Sequence, residues 1–342
     1  MQALGIGVVG CGFVGRGAHV PGLSALKIAR LAAVADADPV RLEKVATKYH
    51  VDSQYTDYRR LIDDPAIDAV VVATPTPLHA PVALAAIEAG KHVLCEMPLA
   101  ATLEEADKII RAAELKGVIL MPGLTFRYTP NYVKVKQLLQ QGALGRATAV
   151  HYREFIPASD LAGQWPPNSW VWQIEESGGP LFTLSVWSLD LLAWLLDAKI
   201  EEVHASTRYT RLEQFGGTLG YDACATLRLD NGSVASLQYS GSVGSSAAGS
   251  SLEVIGDSNK LLKATDNDWV TLMGDDPAKI EWNVKQPGPM MWGHQQQDEH
   301  FVQAILAGRR PNILPADGRR AMEVALKIAK AGPTVSISRT AT

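Results

Sequence analysis

The first 36 residues constrain the fold more than any other part of the chain. An apolar run, Leu4–Val9, leads into the pattern Gly10-x-Gly12-x-x-Gly15, and a second apolar run ends at Asp36. A glycine turn of this kind joins a strand to a helix, and an acid about twenty residues further on lies at the tip of the second strand. Backbone N–H groups and the helix N-terminus bind a pyrophosphate there, and the acid binds ribose hydroxyls. The pattern predicts dinucleotide binding, unless Asp36 points away and the turn is only structural.

The same region bears on the choice of cofactor. Asp36-Ala37-Asp38 offers two carboxylates and no adjacent base, because the nearest arginine, Arg41, falls within the next predicted helix. Two negative charges would repel the 2′-phosphate of NADP. We therefore expect NAD rather than NADP. The expected contacts of this loop are Gly10, Gly12, Phe13, Val14, Gly15 and Asp36.

Length and charge exclude several classes of protein. A chain of 342 residues is long for one core, so we expect two domains, 1–123 for the dinucleotide and 124–342 for substrate and oligomerisation. A net charge of −4 does not indicate the basic surface that a nucleic-acid-binding protein needs. The three cysteines are far apart and predict neither disulfides nor zinc. No basic residue precedes the apolar N-terminus, and no apolar run approaches the length of a membrane span, so we expect a cytoplasmic protein.

The first domain alternates strand and helix signals. Predicted strands are 4–9, 31–35, 54–55, 69–73, 92–95 and 118–121. Helices are expected after Asp38-Pro39, over 57–62, before Gly90 and from the Thr102 capping box to Gly117. This order predicts an α/β Rossmann domain with a doubly wound parallel sheet, and its ligand at the carboxyl ends of the strands.

The second domain has a different pattern. After a helix over 130–141, longer strands are predicted over 147–155, 202–209, 223–229, 234–239 and 252–255. Asn231-Gly232 predicts a hairpin, 241–251 a mobile loop, and helices are expected over 294–306 and 318–331. We expect an α+β domain with a mostly antiparallel open sheet. A free apolar face would need a partner, so a homodimer or homotetramer through this sheet is expected.

Two further clusters follow predicted strands at the edge where the cofactor should lie. Thr74, Pro75 and His79 come after the fourth strand, and Glu96 and Met97 after the fifth. Threonine hydroxyls there can reach phosphate or ribose, and the glutamate can hold a ribose hydroxyl or the nicotinamide amide. The alternative for the first cluster is a loop that is merely stiffened by proline.

These motifs together resemble the family of glucose–fructose oxidoreductase, inositol dehydrogenase and MocA. The resemblance covers nearly the whole chain and rests on Gly10-x-Gly12-x-x-Gly15, Ala73-Thr74-Pro75-x-x-x-His79, Gly90–Glu96-x-Pro98, Arg127-x-x-Pro130, and Ser177-Gly178-Gly179 followed by Asp190. It implies a Rossmann domain joined to an α/β domain with an open sheet, commonly in dimers or tetramers. It also implies hydride transfer at a carbon of a sugar, cyclitol or related substrate.

The chain departs from the family pattern at the residues that handle the proton. The family's Glu-Lys-Pro has Met97 in its middle position, and its Asp, His and second Asp fall on Thr183, Trp187 and Asp190. A positioned base contributes about 10²–10⁴-fold to such reactions. The resemblance therefore implies an intact cofactor half and an atypical way of moving the proton.

Other residues are candidates for the missing roles. We expect Tyr128, His79 or Asp190 as proton donor or acceptor, with His151, Tyr152 and Glu154 as further possibilities, and Arg127 as a contact on the nicotinamide side. Candidate substrate contacts are Met97, Tyr128, Trp165, Trp172, Thr183 and Trp187. For each of these the alternative is a packing or solvated residue. His294 and His300 lack the spacing of a third ligand, so no metal is expected.

The sequence leaves three functions open. The first is an NAD-dependent oxidoreductase that acts on a small polar or cyclic substrate. The second is a cofactor-binding sensor or partner protein without turnover. The third is an enzyme that oxidises its substrate transiently for elimination or hydrolysis and recycles a tightly held NAD.

Overall fold

The computed structural model describes residues 3–265, 268–275, 278–285 and 293–332. Its helices are α1 Val20–Ala25, α2 Pro39–Tyr49, α3 Tyr58–Ile62, α4 His79–Glu88, α5 Leu103–Lys116, α6 Pro130–Gln140, α7 Ala158–Ala162, α8 Ile174–Ser177, α9 Gly179–Leu195, α10 His294–Leu306 and α11 Pro315–Ala329. Its strands are β1 Leu4–Val9, β2 Ala29–Ala35, β3 Ser53–Tyr55, β4 Ala69–Val72, β5 His92–Cys95, β6 Leu120–Pro122, β7 Ala147–Phe155, β8 Ile200–Leu212, β9 Thr218–Leu229, β10 Val234–Ser240, β11 Gly249–Gly256, β12 Leu261–Thr265, β13 Trp269–Met273 and β14 Lys279–Asn283.

Six strands near the N-terminus form one parallel sheet in the order β3-β2-β1-β4-β5-β6. All four residues of β4 are buried, as expected for a strand covered on both faces. Strand order reverses between β1 and β4, and ligands of such sheets bind at the carboxyl ends of the strands beside this point. The predicted doubly wound Rossmann sheet is confirmed.

Local signals in the sequence set the ends of two helices. The Asp38 carboxylate accepts hydrogen bonds from the backbone N–H of Val40 and Arg41 at the start of α2. Thr102 and Glu105 form the predicted capping box of α5, and the helix ends at Gly117, whose φ of 68° suits glycine. The start of α2 and both ends of α5 therefore follow from local sequence.

The second sheet has eight strands in the order β14-β13-β12-β11-β7-β10-β9-β8. Only the pair β7·β10 is parallel, and the remaining pairs are antiparallel. The hairpin at Asn231-Gly232 joins β9 to β10 as predicted. Burial alternates along β9 from Ala223 to Leu229, so one face of the sheet is packed and the other is open. The predicted mostly antiparallel open sheet is confirmed.

Two details of the second sheet differ from the prediction. Strands β12, β13 and β14 were not expected, and β14 has a weak signal because four of its five residues are exposed. The loop expected over 241–251 is shorter, because β11 already begins at Gly249 and pairs with Phe155. Strands β12, β13 and β14 pair with their neighbours in sequence, so their weak signal reflects the strong dependence of β-propensity on context and exposure.

The chain folds into two compact units that are not simple halves of the sequence. The first comprises 1–133, 186–190 and 285–322, and the second comprises 134–185, 191–284 and 323–342. The sequence places one boundary near residue 123, whereas the first unit also takes in α10 and the middle of α9. One stretch, Ile174–Leu195, is long and apolar enough to cross a membrane by composition, but 72% of its most apolar window is buried, as in the core helix of a folded domain.

Candidate functional site

The glycine loop at the end of β1 has room for nothing larger than glycine at two positions. Gly10 has a φ of 101°, and a Cβ placed on it would lie 2.4 Å from the carbonyl oxygen of Ala73. A Cβ on Gly15 would lie 1.9 Å from the carbonyl oxygen of Gly10. The backbone at both points is therefore packed against backbone, and the chain can turn directly from β1 into the helical segment that follows.

Asp36 lies at the tip of β2 and is tied to this loop. Its Oδ2 accepts a hydrogen bond from Cys11 N at 2.7 Å, and its Oδ1 accepts one from Asp38 N at 2.9 Å. Its side chain is 10% exposed. The carboxylate is therefore fixed at the place where a dinucleotide's adenosine ribose binds in such folds.

The expectation that no base is adjacent to Asp36 is wrong. Helix α2 turns Arg41 back toward the loop, so that its Nη1 lies 3.8 Å from Asp36 Oδ2 and its Nη2 lies 3.2 Å from Asp38 Oδ2. The Arg41 side chain is 41% exposed. Arg41 lies only five residues after Asp36, and it returns to the loop because Asp38 caps helix α2 directly beside that loop.

The loop keeps open space where a pyrophosphate would lie. A Cβ on Gly12 would meet nothing closer than Arg41 Nη1 at 3.9 Å, and Phe13 and Val14 are half-buried beside it. At the end of β4, Thr74 Oγ1 is buried without a hydrogen-bond partner among the described residues. Open space at Gly12 and an unpartnered hydroxyl nearby suit a phosphate-bearing cofactor.

His79 holds the two neighbouring loops together. It is 2% exposed, with Nδ1 at 2.7 Å from the carbonyl oxygen of Pro98 and Nε2 at 2.8 Å from that of Thr74. Burial lowers the pKa of His79, so the ring is neutral and donates to one carbonyl at a time. Pro75, beside Thr74, is exposed. Both ring nitrogens are engaged, which favours a positioning role for His79 over the catalytic role expected from the sequence.

Glu96 follows β5 and is the centre of a buried polar network. Its Oε1 lies 2.9 Å from Nε2 of His19 and 3.7 Å from Nε2 of His294. Nδ1 of His19 lies 2.9 Å from Oδ1 of Asp298. All four residues are at most 5% exposed. We call these four residues the Glu96 network.

Glu96 is the member of the Glu96 network that the sequence predicts as a site residue. His19 ends a π-helical segment, Gly15–His19, and such segments are frequent at functional sites. His294 and Asp298 are one turn apart on α10, a spacing that could have been noted. Their contact with His19 joins residues 279 positions apart, which no local pattern reveals.

Charge is shared within the network. Burial lowers the pKa of His19, but the carboxylates of Asp298 and Glu96 outweigh burial and raise it to about 10. Burial raises the pKa of Glu96, and the hydrogen bond and charge of His19 bring it below its usual value. At neutral pH, His19 is therefore a cation between two carboxylates.

The network also offers three side chains that could approach one metal ion, since ligand atoms of His19, Glu96 and His294 lie within 4.8 Å of one another. The spacing of these three residues in the sequence does not predict that they meet. Both nitrogens of His19 are already bonded to carboxylates, one to Glu96 and one to Asp298. The geometry is that of a hydrogen-bonded network, and the absence of a metal stays a prediction.

The residues next to Glu96 are held from several sides. Met97 is 3% exposed, and its backbone N–H lies 3.4 Å from Glu96 Oε2. A Cβ on Gly123 would lie 2.8 Å from Glu96 Oε1, and the indole N–H of Trp187 donates to the carbonyl oxygen of Gly123 at 2.8 Å. Trp187 therefore fixes the backbone at Gly123, which packs against the Glu96 carboxylate.

Arg127 and Asp190 form a two-pronged ion pair. Nε of Arg127 donates to Asp190 Oδ2 at 2.7 Å, and Nη2 donates to Oδ1 and lies 3.4 Å from Asp317. Burial raises the pKa of Asp190, and Arg127 opposes this. Two predicted site residues thus meet, but each is the other's main partner, which makes Asp190 a poor free base.

Tyr128 has an unusual environment. Its Oη is buried without a hydrogen-bond partner among the described residues, and its ring lies 5.8 Å from that of His300. Burial raises the pKa of Tyr128, so the phenol stays protonated at neutral pH and can donate a hydrogen bond.

The remaining predicted contacts lie in the second unit. Trp172 is 5% exposed, and its indole N–H donates to the carbonyl oxygens of Trp165 and Pro166. Trp165 packs with Trp170 and Leu161 in the same apolar cluster. Trp172 belongs to the buried cluster, and Trp165 and Trp170 are partly buried and pack against it. Thr183 is 4% exposed, and its Oγ1 has no partner among the described residues.

Glu154, at the end of β7, is a further buried acid, and it was a secondary candidate for the proton donor or acceptor. It is 7% exposed, its Oε1 accepts a hydrogen bond from Tyr152 Oη at 3.2 Å, and burial raises its pKa to about 8. His151, the other candidate on this strand, is exposed on the open face.

The parallel sheet, the glycine loop and Asp36 define a dinucleotide-binding protein of the Rossmann class. Residues 4–124 match the family described as an oxidoreductase family with an NAD-binding Rossmann fold, and residues 132–261 match the GFO/IDH/MocA C-terminal domain. The chain belongs to the GFO/IDH/MocA oxidoreductase family. The resemblance inferred from the motifs is confirmed, and so is NAD as the cofactor.

Individual relatives support the same class. The chain is 30% identical over 230 residues to myo-inositol 2-dehydrogenase of Thermotoga maritima, across 67% of this chain and 66% of that protein. It is 32% identical over 244 residues to levoglucosan dehydrogenase of Pseudarthrobacter phenanthrenivorans, across 67% and 60%. The chain thus spans just under two thirds of the length of these relatives. GenD2 from gentamicin A biosynthesis, solved with NAD, has a TM-score of 0.81, 27% identity, and coverage of 96% and 93%.

Proposed function

We propose that this protein transfers a hydride between NAD and a ring carbon of a small polyhydroxylated substrate, a sugar or a cyclitol. The observation that carries the proposal is the fixed Asp36 carboxylate beside a glycine loop that leaves open space at Gly12. Relatives that act on myo-inositol and levoglucosan support the substrate class, because both compounds are cyclic polyols.

The chain's own residues have distinct tasks in this proposal. Gly12 and Thr74 line the cofactor's phosphates, and Asp36 accepts hydrogen bonds from the ribose hydroxyls of its adenosine. Glu96 holds the nicotinamide half at the end of β5. The bound cofactor supplies a hydride acceptor or donor at the nicotinamide ring. Met97 occupies the position of the usual lysine and has no titratable group, so the proton must pass to another residue.

A substrate panel tests the proposal directly. Inositols, levoglucosan and common aldoses are each incubated with NAD or NADP, and NADH or NADPH formation is followed by absorbance. We expect NAD-dependent turnover with at least one cyclic polyol. Tight binding of NAD with no turnover on the panel would instead favour the cofactor-binding sensor, and conversion of substrate without net NADH would favour the NAD-recycling enzyme.

Met97→Lys tests the proposal that proton handling is atypical. The substitution places a lysine amine beside Glu96, at a site that is 3% exposed, where burial lowers the pKa of the lysine and the Glu96 carboxylate opposes this. We expect polyol oxidation to rise by about tenfold or more, toward the 10²–10⁴-fold that a positioned base contributes. The rate of NADH formation measures this.

Met97→Leu is the matched control, since it keeps an apolar side chain of similar volume. It should leave activity near that of the parent chain. A Met97→Lys protein that folds, binds NAD and shows no gain would argue that the residues at Thr183 and Trp187 limit the reaction.

We further propose that copies of this chain associate through the open face of the second sheet. That face carries Thr226, Cys224 and Gln238, which are exposed, and a groove of about 750 Å³ lies beside them. Lys327, Ala331 and Gly332 line one side of the groove, and an isologous contact between two copies would bury the exposed residues of the face.

Thr226→Arg tests this interface. Two copies of the variant would bring like charges together at the contact, so we expect the molar mass from light scattering to fall to that of a smaller assembly. Leu115→Arg is the control, because it adds the same charge at a residue that is 89% exposed on α5. A parent chain that is already monomeric at assay concentration would refute the proposal.

A further inference from the structure

Glu154 has a buried carboxyl group with only one of its two oxygens in use. The residue is next to the last in β7 and is 7% exposed. Its Oε1 accepts a hydrogen bond from Tyr152 Oη at 3.2 Å, whereas its Oε2 is buried without a hydrogen-bond partner among the described residues. Buried polar atoms of native proteins nearly always have partners, so an unused carboxylate oxygen points to a ligand or water at this place.

No basic side chain among the described residues forms an ion pair with Glu154. Arg153 is its neighbour in sequence, but successive residues of a strand point to opposite faces, and the Arg153 guanidinium lies over the ring of Phe155 at 4.8 Å. Burial raises the pKa of Glu154 to about 8, and the Tyr152 hydrogen bond is the one described contact that opposes this. The carboxyl group therefore keeps its proton at neutral pH unless a cation is brought to it.

The titratable groups that face Glu154 from the described strands are phenols. Tyr152 shares its face of β7, and Tyr239 lies directly opposite Glu154 on β10, with its ring 6.4 Å from that of Tyr152. Tyr221 on β9 is close enough that the charge of Glu154 adds to its raised pKa. On β11 the register partner of Glu154 is Ser250, which does not titrate. A carboxyl group among aromatic rings is a setting that attracts cations.

A ligand can approach this carboxyl group from the end of the sheet. Tyr239, the register partner of Glu154, is three residues before a segment, 242–248, in which all but one residue are exposed. A Cβ on Gly241 would lie 2.9 Å from the Tyr221 ring, so only a glycine backbone separates the ring from the start of that segment. The unused oxygen is therefore buried, but it lies near an exposed edge.

We propose that Glu154 binds a protonated amino group of the substrate, so that the preferred substrate is an amino-substituted cyclic polyol. One N–H of the ammonium donates to Oε2, and the proton that the carboxyl group held leaves to solvent. A neutral hydroxyl could also donate to Oε2, but a bond between two ionised groups is about twice as strong and leaves no charge unpaired. The inference rests on the proposed function, because it narrows the substrate class. Glu154 belongs to the second unit, which the sequence predicts to bind substrate.

Matched ligands test the inference without turnover. Glucose is compared with the aminodeoxyglucoses that carry the amino group at carbon two, three, four or six, and scyllo-inositol is compared with scyllo-inosamine. Calorimetry with saturating NADH measures each Kd at neutral pH. We expect the Kd of at least one amine to be about tenfold or more below that of its parent alcohol, because a charge pair forms in a buried place.

Proton release is a second readout on the parent chain. The free carboxyl group, with a pKa of about 8, holds its proton at neutral pH, whereas the bound carboxylate does not. Calorimetry in two buffers of different ionisation enthalpy should therefore count about one proton released per amine bound, and close to none per neutral polyol. Release should diminish as the pH approaches the pKa of the free carboxyl group, which is then already partly ionised.

Two variants locate the effect. Glu154→Gln keeps an acceptor for Tyr152 and removes the ionisable group, so we expect the preference for amines and the proton release to disappear while neutral polyols bind as before. Glu253→Gln is the matched control. It neutralises a glutamate of β11 that pairs with Lys263 at 2.9 Å and lies in register with the exposed His151, and it should change neither readout. Unfolding curves verify that both variants are folded.

Three outcomes would overturn the inference: equal Kd values for amines and alcohols throughout the panel, a preference for amines that persists in Glu154→Gln, or amine binding without proton release. Amine binding that depends on Glu154, with no NADH formed from any amine or polyol, would refute the proposed function and leave the cation site standing. NAD-dependent turnover of neutral polyols without a preference for amines would do the reverse. Binding of no member of the panel would refute both.

Discussion

Asp36→Ala should turn this NAD-dependent protein toward NADP. We expect the Kd of NAD to rise about 10- to 100-fold, because hydrogen bonds to a charged acceptor contribute about 1.5–3 kcal/mol each. We expect the Kd of NADP to fall at the same time. The reason is Arg41, which lies 3.8 Å from Asp36 and stays at the loop when the carboxylate is gone. Fluorescence titration with NADH and NADPH measures both constants.

Two further variants separate the causes. Asp36→Asn keeps an acceptor for Cys11 N while removing the charge, so it should relieve repulsion of the 2′-phosphate with less damage to the loop. Asp36→Ala combined with Arg41→Ala should lose the gain in NADP affinity, because no guanidinium then faces the phosphate. Unchanged affinities for both cofactors in Asp36→Ala would contradict the placement of this acid at the ribose.

The Asp36 region also shows where sequence reasoning succeeds and where it stops. The glycine turn, the acid at the tip of β2 and the Asp38 cap were all predictable, because each depends on residues a few positions apart. The sequence predicts the Asp38 cap but does not reveal where the cap places Arg41. The helix that Asp38 starts returns the arginine to the loop, and this follows only from three-dimensional geometry.

Contacts between distant segments account for most of what the sequence did not reveal. Glu96 was predicted as a cofactor contact from its place after β5, but its partner His19 lies 77 positions away in the chain. Asp298, which bonds to the other nitrogen of His19, lies 279 positions from His19. Arg127 and Asp190 were both expected at the site, whereas their mutual ion pair was not. Residue type and strand position can nominate a side chain, but only packing shows which group it meets.

The tryptophans illustrate the opposite case, in which the simpler interpretation prevails. Trp165 and Trp172 were candidates for stacking on a substrate, with core packing as the alternative. Trp172 is buried and its indole N–H is bonded to the backbone nearby, so the described structure favours packing. Their role in substrate binding stays a prediction, since a buried aromatic cluster can still shape a pocket from behind.

Three alanine substitutions in one short segment should give three different results. In Gly15→Ala, the new Cβ would lie 1.9 Å from the carbonyl oxygen of Gly10, where backbone meets backbone. We expect the free energy of unfolding to fall by about 3 kcal/mol or more, since relief requires the whole turn to shift. NAD binding should be lost with it, because the turn that presents the backbone N–H groups no longer forms.

Gly12→Ala and Gly17→Ala divide this effect into its parts. At Gly12 the only neighbour of a new Cβ is Arg41 Nη1 at 3.9 Å, so the fold should be unaffected while the methyl group enters the space for the pyrophosphate. At Gly17 a Cβ meets nothing within 4 Å, so alanine should be neutral or stabilise by up to about 1 kcal/mol and leave NAD binding intact. Chemical unfolding and calorimetric titration with NAD measure the two properties separately. Retained NAD affinity in Gly12→Ala would mean that the cofactor does not cross the loop at this glycine, and the geometry proposed for the whole site would then be wrong.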